Sequence, residues 1–303
     1  MPIPDFQSLM LPILTLYGDK REHGSLDILN DLRSQLKLTD EEKNELLPSG
    51  KQYRFNNRFG WATVYLLKAG LLNRPSRGTY IITPRGLEVL KEKPEKINMK
   101  YLEKFQEYVD FKNFKGEGRV DETTPLGTDR ISTPQESLES SYLELRRQIS
   151  HDLLERVKQS SPSFFERLVV DLLLKMGYGG SRIDAGQAIG RTGDDGIDGV
   201  IKEDKLGLDV VHIQAKRWQN VVSRPEIQAF VGSLEGQRSR KGVFITTSKF
   251  TAEAQEYVKR IEKKIVLIDG EQLTQLMIDN GVGVAEESRY IVNRIDEDYF
   301  IED

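Results

Sequence analysis

From Phe164 to Ile278 the spacing of apolar residues switches repeatedly between helical and strand periods, and this alternation narrows the possible folds more than any other feature. Phe164 to Met176 is amphipathic at helical spacing, Ile197 to Ile201 and Leu208 to Ala215 read as strands, and Pro225 to Leu234 reads as a helix opened by proline. The run Lys241-Gly-Val-Phe-Ile-Thr-Thr predicts a buried strand, followed by a helix over Thr251 to Lys263, a strand over Ile265 to Ile268 and a helix over Glu271 to Ile278. Such alternation predicts an α/β domain whose central strands are partly parallel and covered on both faces.

The chain has 303 residues, 38% of them hydrophobic and 30% charged, enough for two ordinary domains with cores of their own. It has no cysteine, which excludes a disulfide framework, a thiolate nucleophile and a thiolate zinc site, and fits a cytoplasmic protein. With histidine only at His23, His151 and His212, a multi-histidine metal cage is excluded as well. The first residues, MPIPDFQSLMLPILTLYGD, lack a basic leader, and their apolar stretch is short and broken by Pro12, so no export or membrane segment is expected.

The first half reads as short helices followed by a hairpin. Leu26, Leu29, Leu32 and Leu36 mark a helix over Ser25 to Leu36, and Thr39 with Glu42 forms a capping box for a second that stops near Pro48 and Gly50. A third helix is predicted from about Asn57 to Ala69, ended by Gly70. Leu71 to Arg74 and Thr79 to Ile82 flank Pro75-Ser76-Arg77-Gly78 as a hairpin, and Thr83-Pro84 opens a helix through Leu90. Helices followed by a small hairpin are the winged variant of helix-turn-helix. From Lys51 to Lys91 the only acid is Glu88, against the basic residues Lys51, Arg54, Arg58, Lys68, Arg74, Arg77, Arg85 and Lys91. In a chain of net charge −4, such a local excess suits a phosphate-binding face, although a solvated surface has the same composition. Asn56, Asn57 and Arg58 open the third helix, where such side chains reach base edges, while Asn57 also suits a helix cap; Arg74 and Arg77 sit in the wing. Residues from about Glu92 to Glu136 are polar and read as a connector. The expected division is a winged-helix DNA-binding domain over 1–92, a linker with helical segments over 93–145 and a catalytic domain over 146–303.

The chemistry concentrates in Gly193-Asp-Asp-Gly-Ile-Asp-Gly199 and Leu208-Asp-Val-Val-His-Ile-Gln-Ala-Lys-Arg-Trp218. On the second strand His212, Gln214 and Lys216 share one face, while Val211, Ile213 and Ala215 share the other. A polar face on a central strand is costly unless it is used. A hairpin would bring Asp198 beside Gln214 and Lys216, and carboxylate, amide oxygen and ammonium suit Mg²⁺-assisted phosphodiester hydrolysis. His212 shares this face and suits a structural role; Arg217 and Arg224 follow the strand and could touch phosphates, and ordinary packing accounts for Trp218. Thr246, Thr247 and Ser248, beside Lys249, fit either a phosphate site or a helix cap.

The runs GDDGIDGVI, DVVHIQAKRW, PEIQAFVGSL, KGVFITTSKFT and VLIDGEQLTQLMI, in this order, resemble the Mrr family within the PD-(D/E)xK nuclease superfamily, in the variant with Gln for the second acid. ITPRGLEVL resembles the winged-helix domain that accompanies these nucleases. The resemblance implies a restriction-endonuclease-like mixed sheet flanked by helices, preceded by a mainly α winged-helix domain. It also implies Asp198 as main metal ligand, Gln214 as a weaker ligand and Lys216 as catalytic lysine. Glu166 stands where the superfamily often has a helical metal ligand, and also where an ordinary exposed glutamate favours a helix N-terminus. Asp194-Asp195-Gly196 departs from the family's consecutive glycines, making Asp195 either a loop residue or an accessory metal contact.

The expected activity is endonucleolytic hydrolysis of double-stranded DNA with Mg²⁺, or Mn²⁺ in its place, and the resemblance implies methylated DNA as the restricted substrate. Cutting both strands requires two active sites, so a homodimer or higher homo-oligomer is expected. The competing readings are a non-catalytic winged-helix regulator and a structure-specific nuclease for junctions or repair intermediates.

Overall fold

The computed structural model describes residues 3–113, 131–179, 197–203 and 209–300. Expectations for Leu208, for Asp194, Asp195 and Gly196, and for the connector over 114–130 lie outside the described residues. The chain divides into two compact units, one comprising 1–144 with 293–303 and the other 145–292.

In the first unit the order is α1 (Phe6–Leu16), β1 (His23–Gly24), α2 (Ser25–Gln35), α3 (Asp40–Asn44), α4 (Arg54–Lys68), β2 (Leu72–Ser76), β3 (Thr79–Ile82) and α5 (Pro84–Glu92). The three strands form an antiparallel sheet in the order β1-β3-β2. This is the winged-helix arrangement, with α4 as the helix before the hairpin wing. Local signals place its ends: Asp5 caps α1, the Thr39–Glu42 capping box opens α3, and Thr83 with Pro84 opens α5. The second predicted helix ends at Asn44, short of Pro48, and α4 starts at Arg54, three residues before the expected start, so Asn57 lies inside the helix and does not cap it. Gly86 is required where α5 meets the sheet, because a Cβ there would lie 2.3 Å from the Leu71 carbonyl oxygen.

The connector differs from expectation. α6 (Met99–Leu102) and α7 (Gln106–Asn113) follow α5, and Ile97, Met99, Leu102 and Tyr108 are buried in the same core as Phe6, Leu32 and Leu66. Four anchors dispersed through a polar stretch give no clear period, yet they bury this segment into the first unit. α8 (Pro134–Gln159) begins earlier than Ser140.

The second unit contains α9 (Pro162–Lys175), β4 (Gly199–Lys202), β5 (Val210–Lys216), α10 (Arg224–Gly236), β6 (Lys241–Thr246), α11 (Ala252–Arg260), β7 (Lys264–Ile268) and α12 (Gly270–Asp279). The sheet order is β4-β5-β6-β7, with β4 antiparallel to β5 and the other pairs parallel. Ile213, Ala215, Val243 and Ile245 pack on one face against Phe165, Leu172 and Met277. On the other face Phe244 and Ile265 pack against Ile227, Phe230 and Ala254. Burial on both faces explains the near-continuous apolar run of β6. Among the described residues no helix is long and apolar enough to cross a membrane.

Candidate active site

The β4–β5 pair assembles the site. Pairing ends with Gly199 opposite Ile213, one residue after Asp198. The Asp198 backbone N–H donates to the Ile213 carbonyl at 2.9 Å, while its carboxylate Oδ2 accepts from the Ala215 backbone N–H at 2.7 Å and from Gln214 Nε2 at 2.5 Å. The carboxylate thus takes over hydrogen bonding where the ladder of β4 stops, which fixes it beside β5. Gln214 is 2% exposed, and with its nitrogen committed to Asp198, Oε1 is the atom available to a cation or water.

Lys216 ends β5. Its Nζ lies 5.8 Å from the centroid of the Trp218 ring, which faces it from two residues on. Its carbonyl accepts from the Thr246 hydroxyl at 2.9 Å, tying the strand end to β6. Trp218 is half-exposed, so its role as a wall for the lysine was not visible in a reading that assigned it to packing. The signal was present as the Lys-Arg-Trp spacing, which brings Nζ within reach of the ring.

Glu166, on the first turns of α9, belongs electrostatically to this cluster. Burial is the main cause that raises its pKa above the ordinary glutamate range, and the Asp198 charge raises it further, opposed by Lys216 and Arg167. Two carboxylates near one another, with charge disfavoured on one of them, form a donor set that a divalent cation would relieve. Among the described residues no cluster of three or more His, Cys, Asp or Glu is placed to hold a metal, so the described donors for a cation here are two carboxylates and the neutral Gln214 amide. His212 is buried, its Nδ1 has no hydrogen-bond partner, and burial lowers its pKa, which favours the neutral ring.

Other expected contacts fall elsewhere. Arg217 donates through Nη1 to the Lys158 carbonyl at 2.6 Å, while its buried Nε has no partner. Arg224 is exposed and stacks over Tyr257 at 5.0 Å. The Thr247 and Ser248 hydroxyls donate to the Trp218 and Gln219 carbonyls, and Thr251 is the residue that caps α11. A cavity of about 660 Å³ in this unit is lined by Lys158, Gln219, Ser248 and Lys249 among others, at the carboxyl ends of β5 and β6 where ligands of open α/β sheets are usually received.

In the first unit Asn56 accepts from Arg33 Nη2 at 2.7 Å. Arg74 is partly buried and Arg77 exposed in the wing. Asn57 and Arg58, expected to face DNA, are turned into contacts within the unit. Asn57 is 2% exposed and Arg58 donates to the Ile3 carbonyl at 2.6 Å and to Glu136 at 2.9 Å.

Residues 157–277 match a family model described as restriction endonuclease, and residues 6–92 match the Mrr N-terminal domain. The chain is 40% identical over 310 aligned positions to the type IV methyl-directed restriction enzyme EcoKMrr of Escherichia coli K12, covering 99% of this chain and all of that protein. A solved MspJI restriction endonuclease in complex with a 27-mer oligonucleotide is 16% identical and covers 66% of this chain and 47% of that one, with a TM-score of 0.28, too low to carry an argument about the fold.

Proposed function

This chain belongs to the Mrr family of restriction endonucleases, and from that footing we propose that it cuts methylated double-stranded DNA by divalent-metal-assisted hydrolysis at Asp198, Gln214, Lys216 and Glu166. The observation that carries the reading is the convergence of the Asp198 carboxylate, the Gln214 amide and the Lys216 strand end on one edge of the β4–β5 pair. The substrate class follows from the methyl-directed relative, which is similar along the whole chain.

Asp198, Gln214 through Oε1 and Glu166 are the residues that would hold Mg²⁺ or Mn²⁺, whose charge would polarise the scissile phosphate and acidify a water. Asp198 is held by two hydrogen bonds to one oxygen, so it needs little reorganisation to present the other. The ammonium of Lys216 donates to the attacking water or to a non-bridging phosphate oxygen, where negative charge grows as the P–O bond forms. Trp218 restricts where that ammonium can lie. The winged-helix unit, through α4 and the wing residues Arg74 and Arg77, selects the DNA. Two copies of the chain would cut the two strands.

Matched methylated and unmodified plasmids, incubated with Mg²⁺ and with EDTA, test the reading. Cutting of the methylated plasmid alone, abolished by EDTA, is expected; equal cutting of both plasmids would overturn the methyl preference, and preference for branched unmodified DNA over the methylated duplex would replace methyl-directed restriction by a structure-specific nuclease.

A further inference from the structure

The helix α4 that should read DNA has its outer face covered by the chain's own segment 133–139. Phe55, Phe59, Ala62 and Leu66 form the stripe of α4 that enters the core. At about 100° per residue, Asn57 stands roughly 200° around the helix from Phe55, on the side away from that core. It is nevertheless 2% exposed. Its amide is fully used: Nδ2 donates to Gln52 at 3.0 Å and to Gln135, and Oδ1 accepts from the Thr133 hydroxyl at 2.6 Å.

The neighbouring donors are engaged in the same way. Trp61 Nε1 donates to Gln135 Oε1 at 2.8 Å, Arg58 Nε donates to Glu136 Oε1 at 2.9 Å, and Arg54 Nη1 lies 3.6 Å from that oxygen. Glu139 accepts the backbone N–H and the hydroxyl of Ser49 at 2.8 and 2.9 Å. Asparagine and arginine at the start of a recognition helix are the donors that meet base edges and phosphates, and here they meet the Gln135 amide oxygen and the Glu136 carboxylate, while the Glu139 carboxylate takes Ser49 just before the helix.

This segment is organised locally. It forms its own N-terminal turn through a capping box, in which Thr133 N–H donates to Glu136 and Glu136 N–H donates to the Thr133 hydroxyl. It adds no side chain to the apolar core of the unit, and its one large apolar residue, Leu138, is exposed. Thr133 and Glu136 are 0% and 4% exposed, so the contacts that hold the segment are buried polar ones, and its release requires new partners for Asn57 and Arg58, which DNA offers, and for Glu136, which water offers.

We propose that Thr133–Glu139 is an internal DNA mimic that occupies the reading face of α4 and must withdraw before the winged-helix unit can engage DNA. The proposal rests on the reading of this chain as a DNA endonuclease. It makes Asn57, Arg58 and Trp61 specificity-determining residues that act only in the released state, and it makes the first turn of α8 a negative regulator of binding. Locking the segment in place must then weaken DNA binding, because affinity scales with the competent fraction.

The absence of native cysteine permits a clean test with Ser49→Cys and Glu139→Cys in one full-length chain. Affinity for a methylated duplex is measured by fluorescence anisotropy at fixed salt, in EDTA, after linking the two thiols with a short bismaleimide or capping them with a monofunctional maleimide. The linked protein should bind about tenfold or more weakly than the capped protein. Equal affinities overturn the proposal. If the capped protein and the wild type both fail to bind duplex DNA, the endonuclease reading itself falls and the mimic with it. A second measurement avoids chemistry: Gln135→Ala with Glu139→Ala should bind several-fold more tightly than wild type, and unchanged affinity in this variant also overturns the proposal.

Discussion

Gln214 donates its side-chain nitrogen to the Asp198 oxygen that also receives the Ala215 backbone N–H, so the neutral amide holds the carboxylate without competing with it for charge. Where the superfamily pattern has a second acid, this chain has a donor. The arrangement is favourable without a cation, and under the proposed function it would give a weaker cage with one than two carboxylates would.

Gln214→Glu reverses that balance. With EDTA present, replacing the donor by a second carboxylate beside Asp198 should cost about 1–3 kcal/mol, from a lost charge-assisted hydrogen bond and from like-charge repulsion. Added Mg²⁺ should recover that loss, giving a larger rise in Tm than in the wild type. Thermal scans with EDTA and with a titration of MgCl₂ measure both effects, and identical shifts in the two proteins would remove Gln214 from the metal site.

Glu166 gives a prediction with a defined sign. Its pKa is raised first by burial and then by Asp198, so the folded chain holds this proton more tightly than the unfolded chain. Stability associated with it is therefore present at low pH and is lost as pH rises through the raised folded value. Glu166→Gln should abolish that loss in EDTA, leaving the variant at least as stable as wild type at neutral pH, while reducing the Tm gain from Mg²⁺. Stability curves run from acidic to neutral pH check this, and a variant destabilised at neutral pH in EDTA would contradict the account.

Gly86→Ala tests the winged-helix unit. The new Cβ would lie 2.3 Å from the Leu71 carbonyl oxygen and 2.7 Å from the Ile82 side chain, so α5 must move off the sheet at a cost of about 1–3 kcal/mol. Hydrogen exchange should quicken in α4, α5 and the wing and stay unchanged in β5 and β6. Unaltered protection in the first unit would show that the contact is not closely packed.

Much of this architecture was legible in the sequence because the signals are local. The Thr39–Glu42 cap, the Thr83-Pro84 start and the alternation along β5 are each written within a few residues. Asp198, Gln214 and Lys216 could be grouped because one antiparallel pairing connects them. The inward turn of Asn57 and Arg58 could not be read, because their partners Thr133, Gln135 and Glu136 lie 76 to 78 residues further along the chain. The burial of Ile97, Met99, Leu102 and Tyr108 was hidden for a related reason: four apolar residues in a polar stretch acquire meaning only from the core that receives them. The Arg217 bond to the Lys158 carbonyl was hidden likewise, because that carbonyl lies on α8, 59 residues earlier in the chain.

The most direct test of the catalytic assignment is Lys216→Ala, assayed side by side for cleavage of methylated DNA and for binding to it. Loss of one charge-stabilising donor should lower kcat by on the order of 10²–10³-fold while Kd for the duplex stays within a few-fold of wild type. Cleavage at the wild-type rate would place the chemistry elsewhere, and no metal-dependent cleavage by the wild type, with binding intact, would make this chain a DNA-binding regulator.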